Sequence, residues 1–216
     1  MHEELLAKAE PLVAEVAGHP FWAGLRDGSL PEQSLAHFVR QDTDHLLPAC
    51  ARALARCAAI ARHDEHVVLL GQSVIGTLSA RDRLRERHAE LFGTSPWRPA
   101  DHATRAHCSF FTAASAIGVA AGIGALLPMV WFNHKVSDDL VERCAPGSRY
   151  SEWIRSYHPG EGYAYAVRSF LGMVDRIGEE ASAAEREELV DHFTVAARYE
   201  WTFAETAWRR TDWPVR

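Results

Sequence analysis

The sequence has no paired cysteines. Cys50, Cys57, Cys108 and Cys144 stand far apart with no C-x-x-C among them, which argues against a zinc knuckle or a thioredoxin-like centre and for reduced thiols. It has no Lys/Arg cluster either. With 23 basic and 29 acidic residues the formal charge is −6, the wrong sign for a chain whose main partner is a nucleic-acid backbone. No Asn-Gly or Asp-Gly joins two alternating apolar runs as a β-hairpin would; Asp27-Gly28 lies between helical patterns. The most apolar segment, 117–132, is shorter than the about 20 residues a membrane span needs and contains Pro128, so a buried helix is expected rather than a membrane partner. The opening Met1-His-Glu-Glu-Leu has no apolar core, so no signal peptide is read and the cytoplasm is the expected location.

What is present is an ordinary globular composition, 47% hydrophobic and 24% charged over 216 residues, enough for one large domain or two small ones. Alanine is abundant, and Gly and Pro sit at intervals that suit long helices. The pattern predicts helices over about 3–17, ending at Gly18-His19-Pro20, and from Ser29 or Pro31 to about 62, bending at Pro48. Further helices are expected over 64–91, stopped by Phe92-Gly93-Thr-Ser-Pro96, then 103–118 and 122–144, stopped by Ala145-Pro-Gly147. A short one at 150–157, another at 160–177 and a last at 182–208 complete the set, the last opened by the capping box Ser182-Ala-Ala-Glu185. No linker or repeat divides the chain, so one all-α, bundle-like domain over 1–216 is expected.

Chemistry is sought where a polar side chain falls on an apolar stripe. The second helix reads Leu35, Phe38/Val39, Asp42, His45/Leu46, Ala49 at spacings of three and four. The fifth reads Leu126, Met129/Val130, Asn133, Val136, Leu140. The last reads Leu189, Phe193, Ala196/Ala197, Glu200, Phe203/Ala204, Ala207. Three helices thus each turn a polar group toward the core, and an unpaired buried carboxylate costs several kcal/mol. A shared polar cavity where Asp42, Asn133 and Glu200 meet is the economical solution.

Each residue also has a plainer explanation. An ion pair with Arg40, Arg52 or Arg81 would account for Asp42, and one with Arg198 for Glu200. His45 alone reads as a hydrogen-bonded core histidine, and Asn133 alone as a packing amide. Tyr150-x-x-Trp153-Ile154-x-x-Tyr157 is a compact element that can hang a phenol over a pocket. Gly118-x-x-x-Gly122-x-Gly124 follows no strand, so close helix packing explains it better than a nucleotide loop. Histidines 2, 37, 63, 66, 102, 107 and 158 show no metal spacing and are expected in solvent.

Taken in order, His19-Pro-Phe21, Asp27-Gly-Ser-Leu-Pro31, Phe38-Val-Arg-Gln-Asp42, His88-Ala-Glu-Leu-Phe-Gly93, Ala125-Leu-Leu-Pro128, Tyr150 to Tyr157 and Ala197-Arg-Tyr-Glu200 resemble the TenA/thiaminase II family over nearly the whole chain. The resemblance implies a heme-oxygenase-like helical fold, a homo-oligomer (dimer or tetramer) and a pocket for an aminopyrimidine, with no metal or organic cofactor. By position it implies that Asp42 grips the pyrimidine amino group, that Glu200 is the general acid/base and that Tyr157 lines the pocket. The chain also departs from the family. Met129 stands where the nucleophilic cysteine follows Leu-Leu-Pro, and a thioether has no ionisable proton with which to replace a thiolate. Asn133 and His45 replace tyrosines, Phe111 takes the place of a stacking tyrosine across a deletion, and none of the four cysteines is near the missing position in sequence.

The acids that are kept still permit general acid–base catalysis. The leading expectation is a cofactor-independent enzyme in which Glu200 and the Asp42–His45 pair move protons on a small heterocyclic or enolisable substrate, by hydrolysis, dehydration or cyclisation. Tyr157, Asn133, Met129, Phe111 and Phe38 would shape its pocket. Aminopyrimidine hydrolysis in thiamin salvage and a non-catalytic ligand-binding or regulatory role stay open as alternatives. A di-iron reading from Asp42, His45, His88, His134, Asp138 and His192 ranks behind, because no Glu-x-x-His pair is evident on the core stripes.

Overall fold

The computed structural model describes residues 1–94 and 96–214, with Glu161 described by its backbone only. Among these residues no strand occurs. The helices are α1 (His2–Ala17), α2 (Pro20–Asp27), α3 (Glu32–Gln41), a π turn (Asp42–Leu46), α4 (Leu47–Ile60), α5 (Asp64–Phe92), α6 (His102–Ile117), α7 (Val119–Glu142), α8 (Ser151–Tyr157), α9 (Glu161–Glu180) and α10 (Ala183–Arg209). Most expected helices are present within a few residues of the ends read from the sequence. Ser95, part of the stop expected after α5, lies outside the described residues.

Two features depart from the sequence reading. The first is α2, where only the end of one helix was read. His19 caps it by accepting the Phe21 N–H at Nδ1 (3.1 Å), Pro20 occupies its first turn and Gly28 ends it at φ 83°. Eight residues are too few for a periodic signal, so only the start and stop residues carried the information. The second is the break between α3 and α4. A bend was expected at Pro48 itself, but the discontinuity lies just before it. Pro48 cannot donate to the Asp44 carbonyl, and its ring crowds that oxygen. The ladder widens instead, and the Leu47 N–H reaches the Asp42 carbonyl five residues back. Single π turns of this kind are frequent at functional sites.

The centre of the molecule is the pairing of α7 with α10. α7 buries an almost continuous run from Ala120 to Pro128, as expected for the apolar segment. Its glycines let neighbours approach. A Cβ on Gly124 would collide with the Leu189 carbonyl of α10, and one on Gly122 with the Cys57 sulfur of α4. Close packing is therefore the role of this glycine pair. The capping box of α10 is present, with Ser182 and Glu185 each bonding the other's backbone N–H.

Several of the histidines expected in solvent are held by the protein. His107 is buried and stacked on Tyr199 at 4.9 Å, His66 is buried, and His37 bonds the Asp101 carboxylate at 2.9 Å. Among the described residues no helix is long and apolar enough to cross a membrane.

Candidate functional site

Asp42 opens the π turn, Glu200 lies in the middle of α10, and both face one cavity of about 510 Å³. The side chains of this cavity come from nearly every layer of the fold. α2 and α3 supply Trp22 and Phe38, α4 supplies Cys50, α7 supplies Met129 and Asn133, α8 supplies Tyr157, and α9 supplies Tyr163. Exposed residues of α5 (Gln72, Gly76) and α9 (Gly162, Tyr165) also line it, which places the mouth between these two helices.

One wall is aromatic. Trp153 stacks on Tyr157 at 5.0 Å, Trp22 lies 5.7 Å from Tyr157, and Phe38 touches Trp22 at 5.3 Å and Phe203 at 5.2 Å. Centroids at these separations are mutually attractive, so the wall is fixed before any ligand arrives. Asn133 donates from Nδ2 to the Tyr157 hydroxyl oxygen at 3.0 Å, which leaves the phenolic proton free to be given elsewhere.

The electrostatics set this cavity apart. Asp42 is only 6% exposed, and burial raises its carboxyl to about 7. Burial, followed by repulsion from Asp42, raises Glu200 to about 8. Among the described residues no cation answers either acid, and Glu200 Oε1 has no hydrogen-bond partner. None of the described arginines that could have neutralised them forms an ion pair with either acid; Arg40 lies within electrostatic reach of Arg98 and Asp44, and its Nε has no hydrogen-bond partner. Arg52 donates to the Pro48 carbonyl, Arg81 pairs with Asp82 and Arg198 is exposed. Two carboxyls that would each prefer a proton, sharing one aromatic-walled cavity, form an acid–base arrangement.

Two expected residues are not in this cavity. His45 lies on the other side of the π turn, where its Nε2 meets the Arg98 carbonyl at 2.8 Å and its ring faces Trp97 at 6.0 Å. An α-turn would put residues 42 and 45 on one face, but the wider i→i+5 turn rotates them apart. Phe111 is fully enclosed beside His107 at 4.4 Å and is not among the cavity residues. The metal candidates are likewise dispersed. His88 packs on Phe92 and His192 on Phe110, while His134 and His158 pair with Asp138. Among the described residues no three His, Cys, Asp or Glu side chains are placed to hold a metal ion.

Cys50 and Tyr163 line the cavity without having been singled out from the sequence. The signal for Cys50 was available, since it follows Leu46 by four residues on the stripe that contains Asp42. For Tyr163, six residues past Tyr157 across a helix break, no periodicity could have pointed inward.

A sequence profile described as the TENA/THI-4/PQQC family matches residues 6–210. An aminopyrimidine aminohydrolase of Bacillus subtilis (strain 168) is 26% identical over 201 residues, covering 90% of this chain and 84% of that protein. One from Halalkalibacterium halodurans is 26% identical over 219 residues, covering 97% of this chain and 96% of its own. The solved structure of a TenA homologue from Pyrococcus furiosus superimposes with a TM-score of 0.85 at 17% identity, covering 96% of this chain and 100% of that one. That likeness is of fold, and the fold is the all-α, heme-oxygenase-like one expected from the sequence. With the profile spanning all but the extreme ends, the chain belongs to the TENA/THI-4/PQQC family.

Proposed function

We propose that this protein hydrolyses a small aminopyrimidine, exchanging an exocyclic amine for a hydroxyl, with Glu200 as general acid/base and Asp42 orienting the ring. The observation that carries this reading is the pair of carboxyls, unanswered by any cation among the described residues, in one aromatic-walled cavity. An aminopyrimidine supplies what such a pair lacks, namely N–H donors and a basic ring nitrogen. The names of the two aminohydrolase relatives favour this reaction over the broader set of dehydrations and cyclisations.

The division of labour follows from position on the wall and from a shared proton. Burial raises both carboxyls and their mutual repulsion makes the second proton harder to lose than the first, so near neutral pH the pair holds one proton, which this reading places on Glu200. Asp42 carboxylate then accepts from the ring amino group while the Glu200 carboxyl still has a proton to give the departing amine. The resulting Glu200 carboxylate takes the proton of the incoming water. Tyr157, fixed by Asn133, donates its phenolic hydrogen toward the ring, Phe38 supplies part of the aromatic wall, and Met129 lines the same cavity. His45 and Phe111 have no part in this reading.

The test is to incubate the protein with an aminomethylpyrimidine and follow release of ammonia and the hydroxymethyl product. Glu200→Gln is expected to lower kcat by about 10²–10⁴-fold. Asp42→Asn is expected to act mainly on KM. Unimpaired turnover in both variants would overturn the assignment. The wild-type rate should follow a narrow bell, falling below about 7 as the pair gains its second proton and above about 8 as it loses its last.

A further inference from the structure

Behind the π turn lies a second hollow of about 700 Å³, bordered by α4, α6 and the loop over 97–100. The turn is a wall common to both spaces. Asp42 and Leu46 line the cavity of the acids, while Asp44 and His45 line the hollow. The charges differ in sign. The cavity holds two carboxyls, whereas the hollow is lined by the exposed guanidinium residues Arg52 and Arg105. The one acid among its described lining residues, Asp44, is already paired with Arg85 at 2.5 Å. Arg52 donates to the Pro48 carbonyl at 2.9 Å. Among the described residues neither Arg52 nor Arg105 has an acid partner, and the Arg105 side chain makes no hydrogen bond. Trp97 stands at the edge of this space with 67% of its surface exposed, outside the hydrophobic core. It is nevertheless held. His45 Nε2 donates to the Arg98 carbonyl at 2.8 Å, the His45 ring meets the indole at 6.0 Å, and Pro99 disfavours helical backbone at Arg98. A large apolar face kept in solvent beside two unanswered cations is a cost that the fold itself does not require.

We propose that this hollow is a second binding site, for a planar aromatic anion: a ring system with a carboxylate, sulfonate or phosphate group, laid against Trp97 with its charge toward Arg105 and Arg52. Each feature of the hollow answers one feature of such a molecule. The indole offers a rigid face for stacking. A guanidinium forks onto a carboxylate or phosphate with two parallel N–H bonds, and binding would give both arginines the partner they lack. Much of the remaining lining is small and apolar, Ala49, Ala113 and Ala116 among it, and the volume is that of a ring-sized ligand site. A neutral heterocycle gains nothing from the arginines. An anion is in turn repelled from the cavity of Asp42 and Glu200, so the two spaces select ligands of opposite charge. The site stands or falls independently of the aminopyrimidine reading.

The experiment titrates the protein with 1-naphthoate by isothermal calorimetry at pH 8. One molecule is expected to bind per chain. Two probes separate the ring from the charge: 1-naphthamide has the same rings without the charge, and acetate has the charge without the rings. Each is expected to bind at least about 10-fold more weakly than naphthoate. Trp97→Ala and Arg105→Gln, both at exposed positions and shown folded by circular dichroism, are each expected to weaken naphthoate about 5-fold or more. Trp97→Phe is expected to keep most of the affinity. Glu200→Gln, which changes the other cavity, is expected to leave naphthoate affinity as it is in wild type. The proposal is overturned if naphthoate does not bind, if naphthamide binds as tightly, or if binding is indifferent to Trp97→Ala and Arg105→Gln. It is overturned equally if Glu200→Gln tightens naphthoate, because the probe would then sit among the cavity acids.

Discussion

Asp42 and Glu200 occupy the cavity at the expense of the fold. In the unfolded chain they titrate near 3.8 and 4.5, while in the folded protein they are raised to about 7 and about 8. The folded state therefore holds more protons than the unfolded one, and stability falls as pH rises through the window from about 4 to about 8. Removing either charge should remove that penalty. Glu200→Gln is expected to be more stable than wild type by roughly 2–4 kcal/mol at pH 8.5 and equal to it at pH 4, read from urea midpoints at the two pH values. A destabilised Glu200→Gln at pH 8.5 would mean that its carboxylate has a stabilising partner. The stripes in the sequence revealed both acids because a carboxylate on an apolar face violates a simple rule. Cys50 lies on the same stripe as Asp42 but does not stand out there, because a cysteine on such a face violates no rule and reads as a small apolar residue.

At the scale of the element, the helices were legible wherever a Gly, Pro or capping residue punctuated a long periodic run. α2 and the π turn were not, one being too short and the other a change of ladder within an unbroken helical pattern. That change decides which residues reach the cavity, since it keeps Asp42 inside and carries His45 out to the Arg98 carbonyl. The α7–α10 contact is the element-level feature with the least tolerance. A methyl group on Gly124 meets backbone rather than a movable side chain, so Gly124→Ala should cost about 3 kcal/mol or more and lower Tm by roughly 6–12 °C. Gly71→Ala, in the interior of α5 with no atom within 4 Å of the added Cβ, should instead stabilise by roughly 0.5–1 kcal/mol. Thermal melts of the two variants side by side check both signs.

Over the whole molecule the cavity acids are opposed by a buried base. His107, enclosed between Phe111 and Tyr199 with neither ring nitrogen partnered, is pushed by burial from 6.5 down to about 3. The unfolded chain takes up this proton first, so stability is lost as pH falls from about 6.5 toward about 3. Its solvent-exposed placement in the sequence reading failed because helical periodicity on α6 gives no warning of a histidine sandwiched between aromatic rings. His107→Phe keeps the stacking and removes the proton site. The variant is expected to match wild type near pH 7.5 and to exceed it by roughly 3 kcal/mol at pH 4, measured by urea unfolding. Equal acid sensitivity in the two would show that His107 is not what limits the protein in acid. Together these three groups bracket the stability optimum from both sides. Loss through His107 begins below about 6.5, and loss through the acid pair begins above about 4 and is complete near 8. Between about 4.5 and 6.5 two acids lose stability with rising pH against one histidine that gains it, so the greatest stability contributed by the three falls near 4, while the proposed reaction needs the half-ionised pair found between about 7 and 8. The pH that the proposed reaction requires is one at which the cavity's own carboxyls have already weakened the fold.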